Sequence, residues 1–186
     1  MSKSEEILAA ARQSAQAHGY AGLNFRDLAD EVGIKAASIY HHFPSKADLG
    51  AAVAKRYWQD TAKDLEGIAE RSADPLAAFL AYPDIFRRSL ERENRMCMCS
   101  FMSAEYDDLP GPVRIEVQAF ADVNIAWLAQ MLVRAEVEHN SADAQGRAAA
   151  IFAAVAGAQL MARSRNDINL FDSLIAHYQR ASLLPS

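Results

Sequence analysis

Residues 24–46 read NFRDLADEVGIKAASIYHHFPSK, and the fold turns on this stretch. Phe25, Leu28, Ala29 and Val32 fall at i, i+3, i+4 and i+7, the apolar stripe of a short amphipathic helix. Asn24 stands where a side-chain oxygen can accept from a free backbone N–H at the helix start. Gly33 follows directly and can take the positive φ that ends a helix and opens a tight turn. A second short helix is predicted from Ala36 or Ala37 to His42, with Ile39 and Phe43 one turn apart and turned inward. Two short helices joined by a Gly-containing turn describe a helix-turn-helix. The outward side of the second helix carries Lys35, Ser38, Tyr40, His41 and His42. Lys46 comes just after Pro44-Ser45, where Ser45 caps a further helix. Cations, hydroxyls and an aromatic of modest reach suit the phosphates and base edges of double-stranded DNA.

The order LADEVGI, then SIYHHF, then PSKADL, closely resembles the N-terminal domain of the TetR/AcrR family of transcriptional regulators. The resemblance covers roughly the first quarter of the chain by motif, and the rest by length and helical layout. It implies an all-α protein. Residues 1–48 would form a three-helix, helix-turn-helix DNA-binding domain, and residues 49–186 a helical ligand-binding and dimerisation domain. The candidate DNA contacts are Asn24, Lys35, Ala36, Ser38, Tyr40, His41 and Lys46. The family often has Ser or Thr, as the cap of the recognition helix, where Lys35 stands. The lysine loses that cap and adds a cation near the groove. The recognition helix contains no arginine, which leaves guanine readout to Lys35 and shifts weight to Ser38, Tyr40 and DNA shape. The implied function is a ligand-responsive regulator, most simply a repressor. It would bind a palindromic operator as a homodimer and be released by a small molecule or a thiol-reactive compound.

Composition agrees with a helical body. The chain has 186 residues, 51% of them hydrophobic and only six of them proline, which is long and apolar enough for a real core. Charge interrupts every apolar run before a bilayer span is reached, so no membrane association is expected. The first twenty residues lack a signal-peptide core, so the expected location is the cytoplasm. The net charge of −5 is unevenly spread. Residues 1–56 hold seven Lys/Arg against six Asp/Glu, and residues 57–186 hold twelve against eighteen. Local placement of cations matters for DNA more than the sum. The sequence offers no convergent acid, base or nucleophile set, no CxxC pair and no HExxH string. Neither an enzyme, a metal site nor a cofactor is expected.

Along the chain, Ser4 is predicted to cap a first helix with Glu5 and Glu6 in its first turn and Gly19 beyond its end, the residues before Ser4 being frayed. A helix after Ser45 runs to about Ile68 or Glu70. Asp74-Pro75 starts another, and Pro83 interrupts it with a kink or a split, since it lacks an N–H and clashes with the carbonyl of Phe79. A long helix follows from about Gly111 to Val137. A helix from Asp143 is rich in alanine and glycine, and a last one runs from about Ile168 to Ser182. This final pair resembles the dimer-forming helices of the family. Candidate ligand-binding residues are Phe79, Tyr82, Phe86, Cys97, Phe101, Met102, Phe120, Asn124, Trp127 and Met131. Cys97 and Cys99 allow two readings. They are small buried hydrophobes, or Cys97, near Arg95 and a helix start, is a reactive thiolate.

Overall fold

The structure is a computed structural model and describes residues 2–185. Among them are ten α-helices and no strand: α1 Lys3–His18, α2 Phe25–Val32, α3 Ala36–His42, α4 Lys46–Arg71, α5 Pro75–Leu80, α6 Asp84–Glu91, α7 Met98–Ser103, α8 Gly111–Arg134, α9 Ser141–Arg165 and α10 Ile168–Arg180. The all-α expectation holds.

The chain packs as two compact units. The first comprises Met1–Asp60 and Cys97–Phe120, and the second Thr61–Met96 and Ala121–Ser186. Packing therefore does not divide the chain in sequence order at residue 48: residues 97–120 return to the N-terminal unit.

In the first unit, α1 begins earlier than Ser4. Ser2 caps it: the Ser2 hydroxyl accepts from the Glu5 N–H at 3.3 Å, and the Glu5 carboxylate accepts from the Ser2 N–H at 3.2 Å. A cap at Ser4 would put Ile7 three residues on, and Ile7 cannot reciprocate. Ile7, Ala11 and Ala15 of α1 are fully buried, together with Leu28 of α2, Ile39 of α3 and Leu49 of α4. Each lies on an apolar stripe of its helix, which is why the short α2 and α3 stay ordered: packing, not length, stabilises them. Ser45 accepts from the Asp48 N–H at 3.1 Å and opens α4 as predicted. Residues 97–120 add Cys97, Met98, Cys99, Met102, Val113 and Phe120, all buried, to this core.

In the second unit, Asp74 accepts from the Ala77 N–H at 2.7 Å, with Pro75 at the first helical position. Pro83 produces a split: α5 stops at Leu80 and α6 starts at Asp84. Helix α8 ends at Arg134, short of the expected Val137, because Glu136 takes a positive φ of 55° and the Val137 N–H turns back to the Leu132 carbonyl at 3.0 Å. Asn140 then caps α9 from Ser141, two residues before the expected Asp143, accepting from the Ala142 N–H at 2.8 Å. Asn166, in the left-handed region, ends α9, and Asp167 caps α10. The buried side of α9 is Ala144, Ala148, Ile151, Val155, Ala158 and Ala162. Its other side exposes Gly146, Ala150, Ala153, Gly157, Leu160 and Met161, spaced three or four apart on one face.

Candidate nucleic-acid interface

Helix α2 starts where Asn24 Oδ1 accepts from the Arg26 N–H at 2.9 Å and the Asp27 N–H at 3.4 Å. It stops at Gly33, which sits at φ 69°, ψ 40°, with open space where a Cβ would point. The Ile34 N–H closes the turn on the Ala29 carbonyl at 2.9 Å. Three residues, Gly33 to Lys35, thus separate two helices, one burying Phe25, Leu28 and Ala29 and the other Ile39, in the first unit. Lys35 occupies the cap of α3 and makes no side-chain capping bond, leaving its ammonium in solvent. Ile39 and Phe43 anchor α3 at 0% and 7% exposure, so the opposite side of this helix must face water.

Tyr40 is 57% exposed, yet its ring lies 4.6 Å from the Phe25 ring centroid. The ring packs on α2 while more than half of the residue stays exposed. Lys46 donates to the Ala21 carbonyl at 3.3 Å and sits 4.6 Å above the Tyr20 ring, so its cation is held in place, not free to sweep.

Two open grooves flank α3. The larger, about 540 Å³, is lined by Ala21, Leu23, Asn24, Phe25, Arg26, Ala36, Tyr40 and Lys46. The other, about 490 Å³, is lined by Lys3, Ile34, Lys35, Ala37, Ser38, His41 and His42. The seven candidate DNA contacts are divided between them. Asn24, Ala36, Tyr40 and Lys46 line the first, and Lys35, Ser38 and His41 the second. Arg26 and Lys3, not among the candidates drawn from the sequence, each add a cation to a groove. Arg26 was legible: it lies off the stripe formed by Phe25, Leu28, Ala29 and Val32, one residue inside the α2 start. Each groove joins cations to polar groups beside an exposed helix, an arrangement that fits backbone contact on either side of it.

The ten candidate ligand residues fall into two groups. Phe79, Tyr82, Phe86, Asn124, Trp127 and Met131 are buried in the second unit. The Tyr82 hydroxyl donates to Asn124 Oδ1 at 3.0 Å. The Tyr82 ring stacks on Trp127 at 5.9 Å and meets Phe86 at 5.7 Å. Gln159, absent from the candidates, is fully buried and donates to the Phe86 carbonyl at 2.7 Å. Cys97, Phe101, Met102 and Phe120 belong to the first unit, where Phe120 meets the Tyr57 ring at 5.5 Å.

Cys97 is 2% exposed and Cys99 fully buried. Burial pushes the Cys97 thiol up from its ordinary value, and hydrogen bonding around the sulfur, including that of Tyr57, offsets this only in part. Cys99 is raised further, first by burial and then by its neighbour Cys97. Burial thus favours the neutral thiol over the reactive thiolate that the sequence also allowed. Arg95, the cation invoked for it, pairs with Glu93 at 2.6 Å. Among the described residues, no group of three or more His, Cys, Asp or Glu side chains could hold a metal ion.

Residues 7–53 match the model for bacterial regulatory proteins of the tetR family. The HTH-type transcriptional repressor AcnR of Corynebacterium diphtheriae is 36% identical over 81 residues, 43% of this chain and 41% of that protein. The chain thus spans about two fifths of that relative's length. A TetR transcriptional regulator of Legionella pneumophila has the same fold over 97% of both chains, with a TM-score of 0.89 and 28% identity. The reduced form of NemR from Escherichia coli shares the fold at a TM-score of 0.84 over 96% of each chain, with 24% identity.

Proposed function

The chain belongs to the TetR family of bacterial regulatory proteins, and on that premise we propose that it is a ligand-responsive transcriptional repressor, not an enzyme, working in the cytoplasm. The observation that carries the reading is the exposed α3 between two cation-bearing grooves. Ser38, Tyr40 and Lys35 would reach into the major groove, while Lys46, Arg26, Asn24 and His41 meet phosphates on either side. Ala36 is small enough to let the backbone of α3 approach. One reader of seven residues makes few contacts, so affinity requires two copies.

The homodimer is supported by α9. Its outer face is a row of Gly and Ala ending in Leu160 and Met161, which are 52% and 44% exposed. Small residues allow two helices to approach closely, and a face that meets its own copy about a twofold axis is the commonest soluble assembly. Two such chains would present α3 helices to half-sites about 34–36 Å apart, or a multiple of that spacing.

The effector we propose is a small, largely uncharged aromatic compound. The cluster of Phe79, Tyr82, Phe86, Trp127 and Met131 supplies apolar surface, and the Tyr82–Asn124 pair supplies the polar group that fixes orientation. Release would be a population shift toward a dimer whose readers no longer fit the operator. A thiol-reactive effector would first have to open the packing over Cys97. The test is binding to a duplex enriched by selection from random sequences, followed at several salt concentrations, with a thermal-shift screen for effectors alongside. Salt-sensitive, sequence-selective binding is expected. No binding at low salt would remove the function, and a monomer that binds as tightly as the dimer would remove the mechanism.

A further inference from the structure

The turn that leads into the helix-turn-helix is held by a carboxylate 85 residues away in sequence. Helix α1 ends at His18, and the Tyr20 N–H opens the next turn. That N–H donates to Glu105 Oε2 at 2.7 Å. Gly19 makes the approach possible. A Cβ there would lie 2.3 to 2.5 Å from the carboxyl atoms of Glu105, and the backbone sits at φ 65°, ψ −156°, a region essentially reserved for glycine. The far side of Tyr20 is equally confined. A Cβ at Gly50 would lie 2.8 Å from its ring edge and 3.0 Å from Val113. The segment that carries Glu105 is itself stiffened. Arg114 donates to the Leu109 carbonyl at 2.7 Å, and its guanidinium lies 4.5 Å over the Tyr106 ring.

Lys46 grips the same turn through the Ala21 carbonyl and the Tyr20 ring, and both Lys46 and Ala21 line the larger groove. One short turn is therefore held between residues 105–113 and a cation of the interface. We propose that Glu105 is a positioning residue for DNA binding: its carboxylate holds the Tyr20 amide and thereby keeps Ala21 and Lys46 in the arrangement that meets DNA. A shift of the segment after α7 then reaches the interface as the loss of one charge-assisted hydrogen bond, with no movement needed within α2 or α3. This rests on the helix-turn-helix reading above.

The test uses the full chain with Glu105→Ala and Glu105→Gln, the latter keeping an acceptor oxygen. Two quantities are read: hydrogen exchange at the Tyr20 amide of the free protein, and affinity for a selected duplex. In Glu105→Ala, Tyr20 exchange should rise about tenfold or more, the loss of a hydrogen bond to a charged group, and duplex affinity should fall about tenfold. Glu105→Gln, which keeps an acceptor oxygen but not the charge, should recover part of the loss in both, which general damage to the fold would not allow. Gly19→Ala displaces the carboxylate from the other side, so its defect and that of Glu105→Ala should combine less than additively. Tyr20 exchange unaltered in Glu105→Ala, or altered exchange with unaltered affinity, overturns the proposal. Wild-type protein that binds no duplex removes the helix-turn-helix reading, while the exchange measurement still decides whether Glu105 holds the turn.

Discussion

Arg26 is the sharpest probe of the interface, because its side chain can be removed without touching the fold. Its backbone N–H donates to Asn24 Oδ1 at 2.9 Å, and alanine keeps that bond. The side chain is exposed and lies outside the apolar stripe of α2, so Arg26→Ala should change stability by less than about 0.5 kcal/mol. Arg26 lines the same groove as Lys46 and Tyr40. If each copy neutralises one phosphate with it, a dimer loses two such contacts. The slope of log affinity against log salt should then become shallower by about 1.8, at about 0.9 per phosphate. A fourfold change in salt spans about 0.6 log units, so the advantage of wild type over Arg26→Ala should shrink about tenfold between roughly 50 and 200 mM. Fluorescence anisotropy on one selected duplex at four salt concentrations measures this directly, with Arg165→Ala, at the last residue of α9 in the second unit, as the control. Parallel salt lines for wild type and Arg26→Ala would refute the placement of this groove on the phosphate backbone.

Gly33→Ala keeps open space around the new methyl group but forces a left-handed conformation, so it should cost about 1 kcal/mol in urea denaturation through backbone strain alone. Leu160→Glu puts a charge on the exposed end of the small-residue face of α9; sedimentation should show a folded monomer with much weaker duplex binding, and an intact dimer would move the interface elsewhere. Burial raises the Cys97, Cys99 and Tyr57 values, so their neutral forms favour the folded state. That stability is complete below the ordinary thiol value of 9.0 and is lost as pH rises through the raised folded values. Urea midpoints should therefore fall on the alkaline side, less steeply in a Cys97→Ala/Cys99→Ala double variant. Tyr82→Phe removes the buried hydroxyl that donates to Asn124 and should cost about 1–3 kcal/mol, read by thermal or urea unfolding.

Local chemistry wrote much of this protein into its sequence. The α2 start at Asn24, its end at Gly33, the inward pair Ile39 and Phe43, the Ser45 cap and the Asp74-Pro75 start each depend on groups within four residues of one another. A stripe or a cap is decided at that range, so residue order suffices to locate it. The exposed side of α3 follows by exclusion once its buried side is known. Ser2 shows the limit even locally: residue order points to a cap at Ser4 with the preceding residues frayed, and the reciprocal bond with Glu5 places the cap at Ser2 instead.

What the sequence by itself determined is the long helices, the helix-turn-helix and the family it resembles, because capping, periodicity and turn conformation are short-range effects; the split, rather than a kink, at Pro83 and the short α7 were left to the structure. Tertiary structure alone decided that residues 97–120 pack with the N-terminal unit, that Cys97 is buried with its thiol kept neutral, and that the ligand candidates divide between two cores. It also brought Arg26 and Lys46 to one groove and Glu105 to the Tyr20 amide. Such pairings depend on where the chain returns in space, and a carboxylate that meets its partner 85 residues away leaves no spacing for a reader to find.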